Sequence, residues 1–112
     1  MFKILKSGKF VYKLANFMDY YLNKSIELFL DTGIETENLI IESYELSSYI
    51  YKKEINENLE KYFSEDFLVK KFLKNGKYLA IISVGNFRLF VEYTENKDEK
   101  IRFLEDIEIY KK

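Results

Sequence analysis

The chain has 112 residues, 47% hydrophobic and 33% charged, with a formal net charge of −1. That size and balance describe a single domain over residues 1–112, long enough to bury a core without covalent staples. Cysteine and histidine are both absent. Their absence excludes disulfides, thiolate chemistry, Ser-His-Asp and Cys-His catalysis and ordinary zinc sites, and it leaves any acid–base work to Asp, Glu, Lys, Tyr or Arg.

The first residues, MFKILKSGKFVYKL, carry regularly spaced lysines and no long apolar run, unlike a secretory signal. No stretch is long and apolar enough to span a membrane, so the expected location is cytoplasmic. Residues 2–6 read either as a short edge strand or as an unstructured lead. Ser7-Gly8 suits the start of a helix. Phe10, Leu14, Phe17, Met18, Tyr21 and Leu22 recur at helical spacing, which predicts an amphipathic helix from about Lys9 to Leu30, closed at Gly33. Its last part, Ile26–Leu30, also suits a strand. Thr36 is a candidate N-cap. The stripe Leu39, Ile40, Ser43, Leu46, Ser47 and Ile50, followed by Ile55, Leu59, Tyr62 and Phe63 in a new phase, predicts two helices or one kinked helix up to Phe63. Ser64 reads as the next N-cap. Glu65 and Asp66 follow it, Lys70, Lys71 and Lys74 come later and Asn75-Gly76 closes. This is the charge order of a short helix, with Leu68, Val69, Phe72 and Leu73 as its buried stripe.

The stretch Lys77–Thr94, KYLAIISVGNFRLFVEYT, reads as a β-hairpin turning at Gly85-Asn86. A two-residue loop fixes the register, pairing Val84 with Phe87, Ile82 with Leu89, Ala80 with Val91 and Tyr78 with Tyr93. Those pairs make one face apolar, and a one-residue slip would destroy it. Ile101, Phe103, Ile107 and Ile109 share one parity, which predicts a third strand on the same core. Glu105 interrupts that face and suggests a bulge or an edge position. The fold class expected is α+β, with three to four N-terminal helices packed on a C-terminal three-stranded antiparallel β-meander.

Charge is segregated along the chain. Residues 25–66 hold eleven acids against Lys52, Lys53 and Lys61, whereas residues 67–90 hold Lys70, Lys71, Lys74, Lys77 and Arg88 and no acid. Separate solvated faces explain this most simply; a bipolar surface that steers a partner is the sharper explanation. The tyrosines Tyr44, Tyr49, Tyr51 and Tyr62, with Glu57 among them, give a Tyr-rich acidic surface suited to protein contacts, because tyrosine buries a large area at small rotamer cost.

Two resemblances accompany this reading. The predicted helix at 65–74 followed by the hairpin resembles the recognition helix and wing of winged-helix DNA-binding domains. That likeness implies phosphate contacts by Lys70, Lys71, Lys74 and Lys77, with Arg88 near the wing tip. Leu28-Phe29-Leu30-Asp31-Thr32-Gly33 resembles the active-site segment of retroviral-type aspartic proteases. That likeness implies a homodimer whose two Asp31 carboxyls share a proton. Glu42/Glu45 and Glu54/Glu57/Glu60 read as solvated charges, not metal ligands.

The leading expectation is a small non-catalytic protein-interaction module without cofactor or metal. By analogy of size and composition it is of the adaptor, immunity-protein or phage-type inhibitor kind, such as an anti-CRISPR-like factor. Its partner is another protein; nucleic acid is the alternative, no membrane is involved, and homodimerisation is compatible with either.

Overall fold

A computed structural model describes residues 1–17, 19–20, 45 and 48–112. Its organising element is a five-stranded mixed sheet in the order β1-β5-β4-β3-β2. The strands are β1 (Lys3–Lys6), β2 (Lys71–Phe72), β3 (Tyr78–Val84), β4 (Phe87–Asn96) and β5 (Ile101–Lys111). Helix α1 covers residues 8–17 and 19–20. A π-helical segment, Ile50–Asn56, runs into α2, Glu57–Ser64.

The β3–β4 hairpin has the register its turn dictates, from Val84↔Phe87 to Tyr78↔Tyr93. Gly85 adopts φ +56° and Asn86 stays at negative φ, as a primed turn with glycine first requires. One sheet face is the core. Ala80, Ile82, Leu89, Val91 and Tyr93 are buried there under Phe10 and Leu14 of α1 and Ile55, Leu59 and Phe63 of the second helical layer. Each buried Phe, Leu, Ile or Val among them contributes about 1.5–3 kcal/mol through burial.

The helix-dominated meander expected from the sequence is not what forms. The described residues hold α1, a continuous helical run from residues 48–49 through the π-helical segment into α2, an α-helical residue at 45 and five strands, not three to four N-terminal helices on three strands. Two segments account for the difference. Lys3–Lys6 is a strand lying parallel to β5. Ser7 then starts α1, its Oγ accepting the Phe10 N–H at 3.0 Å and donating to the Glu105 carbonyl at 2.7 Å. The predicted helix at 65–74 is absent: Ser64 ends a helix instead of starting one, and Lys71–Phe72 pairs antiparallel with Leu79 and Tyr78. Asn75-Gly76 forms a β-turn, with the Gly76 N–H donating to Leu73 and the Leu73 N–H to Lys77. The lysines that mimic a helix end sit on a strand and its turn.

Of the two alternatives at Glu105, a bulge or an edge position, the bulge is what forms: Glu92 pairs with Asp106 and Tyr93 with Leu104, so Glu105 is the extra residue. It reverses the parity of β5. Arg102 and Leu104 turn into the core with Ile107, and Phe103 stays 36% exposed, so Ile101 and Phe103 do not share the face of Ile107. Helices predicted between residues 21 and 44, the Gly33 cap and the Asp31 triplet lie outside the described residues. No described helix is long and apolar enough to cross a membrane.

Candidate interaction surface

The chain leaving α2 is held open by one buried side chain. The Arg102 guanidinium donates to the carbonyls of Phe63 at 2.7 Å, of Glu65, and of Asp66 at 3.1 Å. These are carbonyls at and just beyond a helix C-terminus, where cationic donors are favoured. Its Nε donates to Glu95 Oε1 at 2.8 Å, and the Phe2 ring lies 3.7 Å from the guanidinium carbon. With its carbonyls so engaged, the backbone leaves the helix extended at Glu65 (ψ 145°).

From there the side chains alternate. Leu68 packs against the core. Lys70 reaches Glu95 Oε2 at 3.1 Å and sits 4.4 Å over the Tyr78 ring. Phe72 stands edge-on to Tyr78. The odd-numbered residues point away: Phe67 is 95% exposed, Val69 89%, and Lys71 is exposed. Tyr62 donates its hydroxyl to the Val69 carbonyl at 3.2 Å, which ties this strip to α2. Two large apolar side chains therefore stand in water on a backbone secured at both ends.

Next to the strip, β3 forms an open edge. Successive residues of a strand direct their N–H and C=O groups to opposite neighbours. The Val84–Phe87 pair closes the hairpin toward β4, whereas the Lys77 carbonyl accepts from Leu73 on the β2 side. Ile81 and Ser83 thus direct their backbone groups away from β4. β2 ends its pairing at Lys71↔Leu79, so no strand pairs with Ile81 or Ser83 on that side among the described residues. The Ile81 side chain is 53% exposed.

Of the basic residues singled out in the sequence, Lys70 and Lys77 are neutralised, the latter by Glu105 at 3.5 Å. Lys71, Lys74 and Arg88 are exposed and lie beyond ion-pair distance of any carboxylate among the described residues. With no helix at 65–74, the recognition-helix resemblance loses its main element.

Only part of the Tyr-rich acidic surface falls among the described residues. Tyr49 is exposed, and Tyr51 falls in the π-helical segment. Glu57 is exposed on the first turn of α2, 3.9 Å from Lys53. Tyr62 packs against the core edge-on to Phe63, and burial pushes its hydroxyl pKa up. Tyr44 and Asp31 lie outside the described residues. The strip at Phe67 and Val69 was missed because its charge order imitates a helix. The signal that finds it is Asn75-Gly76 between apolar runs, a hairpin signature.

No protein-family model, no curated protein and no solved structure matches this chain.

Proposed function

We propose that the chain is a small non-catalytic protein-interaction module that works by surface complementarity, of the adaptor, immunity-protein or inhibitor kind. Its contact surface is the strip Phe67–Lys71 together with the adjoining edge of β3. The observation that supports this reading is the near-complete exposure of Phe67 and Val69, at 95% and 89%, on a backbone fixed by Arg102 and Tyr62. A fixed backbone cannot fold these side chains away, and exposed apolar groups of this kind mark partner surfaces. The contact surface is thus moved from the acidic tyrosines to the basic segment.

The test is recovery of partners on immobilised wild-type protein and on the Phe67→Ser/Val69→Ser variant, from lysate of the source with and without nuclease treatment. The expected result is one protein retained near stoichiometrically by the wild type and lost by the variant. Identical recovery on both proteins would remove the strip from the account. Recovery that depends on intact nucleic acid would transfer the function to Lys71, Lys74 and Arg88.

A further inference from the structure

We infer that the edge of β3 at Ile81 and Ser83 receives an extended, acidic segment of a partner protein as an added strand. The inference rests on the interaction reading above and specifies its mode and the chemistry of the partner.

Two residues of β3 offer two N–H donors and two C=O acceptors in the plane of the sheet, on the side where β2 has stopped pairing. Residues 67–70, the polypeptide that precedes β2, are diverted from this edge. Tyr62 holds the Val69 carbonyl and Glu95 holds Lys70, so this stretch runs toward the helical layer and not along Ile81. An unpaired edge of this kind is a template for another strand. The donors and acceptors alternate at peptide spacing, which a protein strand satisfies and a phosphodiester chain, lacking N–H groups, does not.

Side chains beside the edge set the partner's character. Ile81 provides an apolar contact on the edge itself, and Val69 and Phe67 add exposed apolar surface beyond the point where β2 stops pairing. Lys71, Lys74 and Arg88 have no carboxylate partner among the described residues, and residues 67–90 contain no acid; a carboxylate does reach the turn, that of Glu54 at Gly85, and the three cations outnumber it. The complementary strand alternates apolar residues with Asp or Glu. A second copy of this chain fits worse: pairing β3 with its own image about Ile82 would bring two sets of these cations together.

The test is selection of random dodecapeptides from a display library on the wild-type protein, followed by measurement of the enriched peptides on three variants. Ser83→Pro removes one outward N–H and blocks the edge. It leaves the hairpin ladder intact, because proline is tolerated where the N–H faces outward. Ser83→Ala is the control, and Phe67→Ser/Val69→Ser tests the strip. The expected peptides alternate apolar and acidic residues. They bind Ser83→Pro about tenfold or more weakly, bind Ser83→Ala as well as wild type, and weaken as salt rises.

Peptides that bind Ser83→Pro normally but fail on Phe67→Ser/Val69→Ser would overturn strand addition and leave the interaction strip standing. Peptides indifferent to both variants, or no enrichment, would overturn both. Enrichment of basic or uncharged sequences would overturn the acidic partner. So would a concentration-dependent dimer of the wild type that Ser83→Pro abolishes, since the occupant would then be a second copy. If Ser83→Pro does not fold by circular dichroism, amide exchange on the wild-type complex decides: protection appears at Ile81 and Ser83 if the peptide adds as a strand and is absent there if it does not.

Discussion

Glu95 and Arg102 are direct cross-strand partners on β4 and β5, joined at 2.8 Å with side chains only 2% and 1% exposed. This buried pair gives the strip at residues 67–71 its course. The remaining guanidinium donors hold the three carbonyls at the end of α2, and the other carboxylate oxygen holds Lys70. Replacing Arg102 leaves the buried Glu95 carboxylate with Lys70 alone and frees the helix end. Arg102→Ala is expected to cost about 3–5 kcal/mol, the usual cost of breaking a buried ion pair from one side, read as a lower midpoint in urea. A loss below about 1 kcal/mol, the scale of an exposed pair, would show that the carbonyl clamp contributes little.

Acid should loosen the same region. Burial pushes the Glu95 carboxyl up, but hydrogen bonds from Arg102 and Lys70 outweigh it and hold the carboxyl below its ordinary value of 4.5. Asp106 behaves alike: burial raises it, and Lys13, Lys9 and the Ile107 N–H bring it below 3.8. Both groups take up protons more readily in the unfolded chain, so their stabilisation is present above the ordinary carboxyl range and is lost as pH falls through and below it. Urea midpoints should therefore stay flat from pH 7 to about pH 5 with respect to these groups and fall steeply toward pH 3. Glu95→Gln should flatten that fall. An unchanged acid limb in this variant would deny Glu95 its part.

The hairpin turn lies against the π-helical segment. A Cβ built on Gly85 would lie 2.6 Å from Glu54 Oε2, at a backbone φ of +56°. Gly85→Ala should destabilise by about 1–2 kcal/mol from the left-handed backbone; the Glu54 carboxylate is the far end of a flexible side chain and swings aside at little cost. Adding Glu54→Ala should therefore leave that loss unchanged. Thermal melts of both single variants and the double variant check this, and a recovery of more than about 0.5 kcal/mol would show that the carboxylate is held against the turn.

Phe67→Ser/Val69→Ser should leave stability within about 0.5 kcal/mol of wild type, since neither side chain is buried. A large drop in melting temperature would mean that these residues pack against something in the folded protein, and the strip would no longer qualify as a free surface.

The β3–β4 hairpin was legible to the residue because Gly85-Asn86 is local and any other register breaks the apolar face. The bulge at Glu105 was legible as an interruption, but its effect on parity was not. Arg102 enters the core only because its partners are Glu95 across the ladder and three carbonyls up to 39 residues away, and no sequence period announces that. The same distant capture diverts residues 65–70 from the helix that Glu65, Asp66, Lys70, Lys71 and Lys74 imitate. β1 is four residues long and pairs with the far end of the chain, so its periodicity could only suggest an edge strand. As for the candidate surface, its unpaired cations Lys71, Lys74 and Arg88 were visible in the sequence, but its exposed apolar residues were assigned to a core.

The most direct measurement is residue-resolved amide hydrogen exchange on the free protein. The open edge predicts that the Ile81 and Ser83 amides exchange readily while their neighbours Ile82 and Val84, which pair with Leu89 and Phe87, exchange only as the hairpin opens. Equal, strong protection at all four positions would mean that the edge is already covered, and would contradict the account.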